Sequence, residues 1–523
     1  MINDTELSTM LGDLAECNNE QIHLSGAVQI HGCSLFFTWP EKRIIASSAN
    51  AADYLNLAES QVLQGHLGFI LDSETLAKVE LFIKTGLLNP GRYFNTVIDS
   101  QKYDLYIFET EGVYCLEFEK NTPQTHLEEP FLKEFILQDF MSSLKDLREL
   151  RETADLTCKF IRKMTGIDRV MMYKFIPPAW HGEVIGEDRV LGSHSFMNHR
   201  FPSSDIPKPA RDLYLKNKVR LISDSQAPIS AIHPNLNPKT QKKWDLSDSR
   251  LRSVAPIHLE YLRNMGVQGS MSFAVIVNGE LWGLIACHHM KSFHLSQELR
   301  AACAVIADAF AAHASLIELF EGQTVKSVFD ARLRTLVATV IPVKDPIDAL
   351  FREHMALMDI FSATGVALCG DKRFDLAGIT PPSSILKDLA KDLRDILKTT
   401  EKTYVAADSI AAILPKYAGI VQVACGLLCV SLQDEENSLL ILFRPELVKV
   451  ITWGGNPNKN LEKKNFSGRI NPRFSFASWE EVIRNKSKPW ASYKIDGLLY
   501  LKQVVIDVVV QKNFVISQLS SKQ

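Results

Sequence analysis

A helical period that runs unbroken from about Ser296 to Val340, where Pro342 stops it, constrains this chain more than any other feature. A helix of that length joins modules and does not sit inside one. Before it stands a strand pair, GSMSFAVIV and ELWGLIACHH, separated by Asn278-Gly279, a strong hairpin signal. After it comes a mixed helix and strand region to about residue 490. Further upstream, FLKEFILQDFMSSLKDLRELRETADLTCKFIRKMTG has the period of a long amphipathic helix. It follows a region of short alternating strands: VQIHGCSLFFTW, RYFNTVI, YDLYIFET and GVYCLEFEK. The expected fold class is α/β in the α+β sense, with three antiparallel-sheet modules joined by long helices.

Composition agrees with a multidomain globular chain. The 523 residues are 46% hydrophobic and 23% charged, room for roughly three or four domains of ~100–200 residues. A net charge of -3, from 58 basic and 61 acidic residues, gives no global field for nucleic acid or membrane. The acidic start, MINDTELSTMLGDLAECNNE, has no apolar core and does not read as a signal peptide. YAGIVQVACGLLCVSL falls short of the ~20 apolar residues of a spanning helix and reads as paired buried strands. Nine cysteines without a CxxC pair indicate reduced thiols and a cytoplasmic location.

Catalytic signatures are missing from the sequence. It has no GxxxxGK[ST] loop, no Rossmann glycine triplet, no GxSxG elbow and no kinase set. Ala286-Cys287-His288-His289 resembles a ligand cluster, but neighbouring strand residues point to opposite faces and no second cluster converges on it, so no metal site is expected. The middle of the chain is more informative. Ser270, Ser272 and His288 lie on the hairpin, while Arg252, His258 and Tyr261 lie on RSVAPIHLEYLRNMGV; Tyr214 and Arg220 follow Asp205. Arginine forks suit carboxylates or phosphates. Residue types and spacing thus point to a domain that binds something anionic and partly apolar.

At these residues the chain resembles the photosensory module of bacterial phytochromes, over nearly its whole length. CNNEQIHLSGAVQIHG is similar to that family's PAS domain. DRVMMYKF, FPSSDIPKPAR, LRSVAPIHLEYLRNMGV and LWGLIACHH are similar to its GAF domain, and WGG and PRFSF to the tongue of its PHY domain. The resemblance implies a PAS domain over 1–125, a bilin-binding GAF domain over 126–315, and a PHY domain over 316–500 with its tongue at about 450–480. Residues 501–523 would be a coiled-coil helix leading to an output domain. It also implies a figure-of-eight knot, with the N-terminal segment passing through a lasso near HPNLNPKTQKKWDL, a topology nearly absent among other folds.

The implied cofactor is biliverdin, a linear tetrapyrrole. Relatives that attach their bilin in the GAF domain use a cysteine where this chain has Ile257, so the thioether falls to Cys17, whose neighbour Glu16 does not activate it. Arg220 and Arg252, with Tyr214, Ser270 and Ser272, would hold the propionates. His258 would face the ring nitrogens and His288 the D-ring carbonyl. Tyr173, Phe201, Ile206 and Pro207 complete the implied pocket. Asp205 would stabilise the cationic bilin and pair with Arg473 of the tongue, with Ser475 and Tyr261 as later partners and Trp453 swapping its packing. A strict two-residue turn at Asn278-Gly279 conflicts with this pocket, since it puts Ser270 and Ser272 on the face opposite His288; a bulge would reconcile them. The chain departs from the family at Ile30 (QIHG for QPHG), Ser203 (PSSDIP for PASDIP) and Ala255, which removes a hydroxyl from the anchoring set.

The expected function is a red/far-red photoreceptor module acting as a parallel homodimer, with an output domain in cis, commonly a histidine kinase and sometimes a diguanylate cyclase. It binds neither nucleic acid nor membrane. The rivals are a light-insensitive GAF-type sensor of another ligand and, ranked last, an enzyme in its own right. In the final helix, Leu498, Leu501, Val505, Val508, Lys512, Val515 and Leu519 form one stripe, with Leu499, Lys502, Ile506, Val509, Asn513, Ile516 and Ser520 a second beside it. They read equally as a switchable coiled-coil seam or as one broad face packed on its own domain.

Overall fold

Strand alternation builds the first sheet around two apolar faces. Leu35, Phe37, Leu105, Leu116 and Phe118 point to one side and Phe36, Phe108 and Cys115 to the other, and all are buried. In this computed structural model, residues 21–62, 65–86, 93–121, 130–343, 345–371, 373–432, 437–457 and 475–520 are described. Two units emerge, Met1–Glu318 with Thr452–Trp479, and Leu319–Ile451 with Glu480–Gln523.

The seven strands of the first sheet run in the order Ala27–Gln29, Ile229–His233, Ile44–Ser48, Gly32–Phe37, Val113–Lys120, Gln101–Thr110, Phe94–Ile98. Its second strand comes from the loop expected to form a lasso. The Ile232 N–H donates to Gly26 O (3.0 Å) on one side of the N-terminal segment. On the other side, the Gln29 N–H donates to Leu251 O (2.7 Å) and the Ser253 N–H to Ala27 O (2.9 Å). Residues 26–29 therefore lie between two limbs of one loop, the arrangement a figure-of-eight knot requires. Trp244 of that loop is fully buried against Phe36, ring centroids 4.4 Å apart.

The second sheet begins Val219–Ile222, Gly269–Val277, Glu280–His289, Arg169–Ile176, His181–Arg189, Arg200–Phe201. One face carries Leu221, Met271, Phe273, Ile285, Cys287, Val170 and Met172 into a core closed by helices Leu150–Thr165 and Gln297–Val340. The upstream helical stretch is two helices, Pro130–Leu144 and Leu150–Thr165, where the period alone indicated one. Arg148 Nη1 donates to Lys145 O (2.7 Å) and Leu147 O (2.9 Å), satisfying carbonyls at the break.

Gln297–Val340 is 44 residues long. By length and composition it is apolar enough to cross a membrane, yet Leu299, Cys303, Ile306, Phe310 and Ala314 are buried in the core against the second sheet.

In the other unit, five strands run Phe374–Gly378, Gly365–Cys369, Leu439–Arg444, Gly426–Ser431, Tyr404–Ala407. Val366, Leu368, Leu428, Val430, Leu440 and Leu442 face one core, and Ala367, Cys369, Leu427, Cys429, Ile441 and Phe443 face another. Helix Ser383–Thr400 covers the second core through Leu386, Leu389, Leu393 and Leu397. The expectation of paired strands in YAGIVQVACGLLCVSL is corrected: its first half forms the turns Pro415–Ile420 and Val421–Ala424, and only Gly426–Ser431 is a strand. Apolar residues alone do not distinguish buried helical turns from buried strand. Helix Ser492–Ser520 buries Leu498, Leu501 and Val505 in its own domain, so the broad-face reading holds for those three positions. The side chains of 512–520 lie outside the described residues.

Candidate functional site

The second sheet uses its remaining face differently. In the hairpin, Asn278 and Gly279 have φ of 53° and 81°, the left-handed pair that a tight turn of this type demands, and Val277 pairs with Glu280. A bulge then intervenes: Val275 pairs with Gly283 and Ile276 with Leu281, leaving Trp282 as the extra residue. From there on Ser270 pairs with His288 and Ser272 with Ala286. The conflict noted for a strict turn disappears, and the three polar side chains share a face. Across the sheet, the row Arg220, Ser272, Ala286, Met171 lies beside the row Ile222, Ser270, His288, Arg169.

Onto this face fold the short Ser203–Asp205 turn, helix Lys208–Lys216 and helix Pro256–Asn264. Tyr214 Oη and Ser272 Oγ are 2.7 Å apart. His258 stacks on Tyr261, centroids 5.8 Å apart and planes 10° from parallel. Tyr173, Phe201, Ile206 and Tyr214 belong to one apolar cluster. Tyr173 fits only because residue 182 is glycine: a Cβ there would fall 1.6 Å from its ring. Asp205 closes the one-turn helix, half-buried, its N–H donating to Pro202 O (3.1 Å), and Pro207 caps the helix that follows.

Charge on this face is unusual. Burial pulls Arg220 down to about 9, with Arg252 nearby adding to the effect, and pulls Arg252 down to about 10. Arg220 donates to the carbonyls of Arg250 (3.2 Å), Arg252 and Ser253 (3.4 Å), so it fixes the backbone that carries Arg252. Arg252 Nη1 is buried without a hydrogen-bond partner, and among the described residues neither arginine forms an ion pair. Burial holds His258 at about 4, helped by Arg220, and His288 at about 3, helped by Arg169 and His258. Both imidazoles are neutral at pH 7, and His288 Nδ1 also lacks a partner. The face thus presents a cation and neutral donors and acceptors beside an apolar wall, suited to an extended ligand with carboxylates.

The tongue residues meet the same unit. Trp453 is buried, pairs in parallel with Arg200, and lies edge-on to His181 (5.1 Å). A Cβ on Gly454 would fall 2.6 Å from the Phe201 ring. Ser475 is exposed. Cys17 and Arg473 lie outside the described residues. Sequence reasoning missed three neighbours. Arg169 sits in register with His288, and the alternation of DRVMMYKF carried that signal. Phe476, from the quoted PRFSF, meets the Tyr261 ring at 5.0 Å. His199 Nε2 lies 2.8 Å from Ser478 Oγ, a pairing across 279 positions that no local pattern signals.

Comparison with known proteins accords with this geometry. Three family models match: PAS fold over 17–121, GAF domain over 149–315 and phytochrome region over 330–513. Cyanobacterial phytochrome B of Nostoc is 32% identical, covering 99% of this chain and 69% of its own length. A bacteriophytochrome of Pseudomonas aeruginosa is also 32% identical, over 91% of this chain and 64% of its own. Among solved structures, a bacteriophytochrome of R. palustris matches with a TM-score of 0.81 at 30% identity, covering 95% of this chain and 99% of that one. The photosensory core module of Stigmatella aurantiaca phytochrome matches with a TM-score of 0.78 at 30% identity, covering 95% and 98%. Family membership implies a bilin chromophore, and the unpartnered Arg252 Nη1 and His288 Nδ1 on the polar face fit one. The chain belongs to the phytochrome family, and it is a PAS–GAF–PHY light-receptor module of the bacteriophytochrome kind.

Proposed function

We propose that this module binds biliverdin through a thioether at Cys17 and switches between red- and far-red-absorbing states. The observation that carries the reading is Arg252, half-buried overall, with its Nη1 buried and unpartnered and, among the described residues, no carboxylate of its own. A buried charge without a counter-ion costs several kcal/mol, about 3–5 by the effect of breaking buried pairs, and a propionate removes that cost. When bound, the bilin supplies light absorption and an isomerisable C15=C16 double bond.

The chain's own residues do the rest. Arg220 holds the Arg252 backbone, and Arg252 grips a propionate with Tyr214, Ser270 and Ser272 beside it. His258 and His288, kept neutral by burial, offer ring nitrogens to the pyrroles and the D-ring carbonyl without competing for positive charge. Tyr173, Phe201, Ile206 and Pro207 wall the apolar side. Asp205 balances the pigment's charge and exchanges partners between Arg473 and a pyrrole N–H. That exchange frees the tongue, marked by Trp453 and Ser475, to refold.

In the same reading the domains divide at 125, 315 and 500, and 501–523 lead to an output domain in cis, a histidine kinase or a diguanylate cyclase. The protein is cytoplasmic and works as a parallel homodimer. Exposed Phe135, Met141, Val305 and Leu316 on helices of the GAF unit supply apolar surface for that pairing.

The test is an absorption spectrum of the biliverdin-loaded chain before and after red light, with Cys17→Ser as a second arm. A red-absorbing band that photoconverts is expected, and Cys17→Ser should keep the colour but lose it on a denaturing gel. A colourless protein would leave the runner-up, a light-insensitive GAF-type sensor of another ligand. Pigment retained by Cys17→Ser under denaturing conditions would reject the attachment site.

A further inference from the structure

Away from the pocket, three side chains distant in sequence converge inside the first unit. His31 follows the Ala27–Gln29 strand, Glu119 lies on Val113–Lys120, and His294 stands just before helix Gln297–Val340. One donor atom from each lies within 4.8 Å of the others. Glu119 is 1% exposed and His31 10%. The imidazole rings are 5.6 Å apart.

Hydrogen-bond accounting leaves a gap at the centre. A carboxylate offers about four lone-pair sites. Glu119 uses three: Gln297 Nε2 donates to Oε1 at 2.9 Å, Arg300 Nη1 to Oε1 at 3.3 Å, and Arg300 Nη2 to Oε2. The remaining site on Oε2 looks toward His31 Nε2 at 4.0 Å, too far for a hydrogen bond. His31 Nε2 and His294 Nδ1 are both buried without partners. On its other side, His31 Nδ1 lies 3.0 Å from Ser223 Oγ. With Nδ1–H donating to that hydroxyl, Nε2 carries a lone pair and no proton.

We infer that His31, Glu119 and His294 form a binding site for a divalent cation of the zinc class, stapling the N-terminal sheet to the base of the long helix. Two imidazoles and one carboxylate are a recognised zinc set with an open fourth position. Bonds of about 2.0–2.1 Å would draw the donor atoms in by roughly an ångström. Arg300 opposes a second cation, but its Nε also donates to Leu295 O at 3.0 Å. It can therefore serve as the outer partner that ligating carboxylates usually have. The competing occupant is a buried water.

Metal content decides between them. The full chain, stripped with EDTA and dialysed against zinc chloride, is compared with His294→Ala and His31→Gln by elemental analysis and thermal melting. Expected are one zinc per chain beyond that retained by either variant, and a zinc-dependent rise in Tm confined to the parent. Equal zinc in all three proteins, or the same Tm shift in all three, means a water site and overturns the inference. Should His294→Ala fail to fold, the His31→Gln comparison decides by the same criteria.

Discussion

The GAF sheet and the PHY sheet bury the same kind of charge with opposite consequences. In the PHY domain, Arg444 is 4% exposed and its Cζ stacks 3.6 Å from the Trp490 ring centroid. Its guanidinium donates to the carbonyls of Ser362, Lys488 and Pro489, each at 2.9 Å, and of Phe361 at 2.6 Å. Burial brings it to about 10, the same level as Arg252. Arg252, however, leaves Nη1 unpartnered. Similar shifts with unequal compensation mark Arg444 as an architectural cation and support the proposal that Arg252 serves a ligand. Both faces of the PHY sheet are apolar and end in cores, whereas one face of the GAF sheet sets Arg220, Ser270, Ser272 and His288 beside the apolar cluster of Tyr173 and Phe201.

Alanine at the two arginines should break this comparison most forcefully. Arg444→Ala orphans four carbonyls and the Trp490 face, and should destabilise the chain by about 3–5 kcal/mol in urea melts. Arg252→Ala removes an uncompensated charge, so the pigment-free protein should melt at the same urea concentration or higher, while biliverdin binds at least tenfold more weakly. Equal loss of stability in both variants would erase the distinction.

Acid should separate the regions next. His31, His258 and His288 are held at about 3, 4 and 3 by burial, against about 6.5 in the unfolded chain. Below pH 6.5 the unfolded state therefore binds more protons, and stability falls as pH drops, until the native imidazoles titrate near 3–4. Each histidine contributes about 1.4 kcal/mol per pH unit at most. His288→Gln should flatten the decline between pH 6.5 and 5 by about that slope. The PHY marker lies in another window. Lys494, held at about 8 by burial and the Arg444 charge, keeps its proton longer when unfolded, so stability rises from pH 8 to about 10.5. Lys494→Met should remove that rise and leave the acid limb unchanged. Urea midpoints across pH give both slopes, and an acid limb unaltered in His288→Gln would refute its assignment.

Legibility in the sequence followed the range of the interactions. Asn278-Gly279 and the flanking alternation located the hairpin, because turn chemistry and strand period are local. The bulge at Trp282, which brings Ser270 in line with His288, was visible only as a conflict between register and pocket. The arginines and histidines of the pocket were recognisable in family motifs. What they touch was not: Arg220 grips carbonyls at 250–253, about 30 residues away, and the His31–Glu119–His294 group spans the whole PAS and GAF sequence. The break between Pro130–Leu144 and Leu150–Thr165 leaves the apolar period intact, because the two helices pack on one core.

The smallest expected effect is the most diagnostic of the comparison. Tyr214 Oη meets Ser272 Oγ on the pocket face (2.7 Å), and in the PHY domain Tyr417 Oη donates to Asp392, which Lys416 also holds at 2.6 Å. Removing the Tyr214 hydroxyl should cost about 1 kcal/mol, the net worth of an ordinary hydrogen bond, and removing the Tyr417 hydroxyl about 1.5–3 kcal/mol, because its partner is a charged carboxylate. The two losses should respond differently to pigment. If Ser272 and Tyr214 border the pocket as proposed, a bound propionate offers Ser272 a new partner and changes the cost of Tyr214→Phe on loading. Asp392 keeps Lys416 whatever occupies the GAF domain, so the cost of Tyr417→Phe should be the same with and without biliverdin. A four-way comparison of urea midpoints, each variant loaded and unloaded, reads the difference directly. If Tyr214→Phe costs the same in both states, the Tyr214–Ser272 pair is a structural fastener like its PHY counterpart, and the pocket boundary must be drawn inside it, at Arg252, His258 and His288.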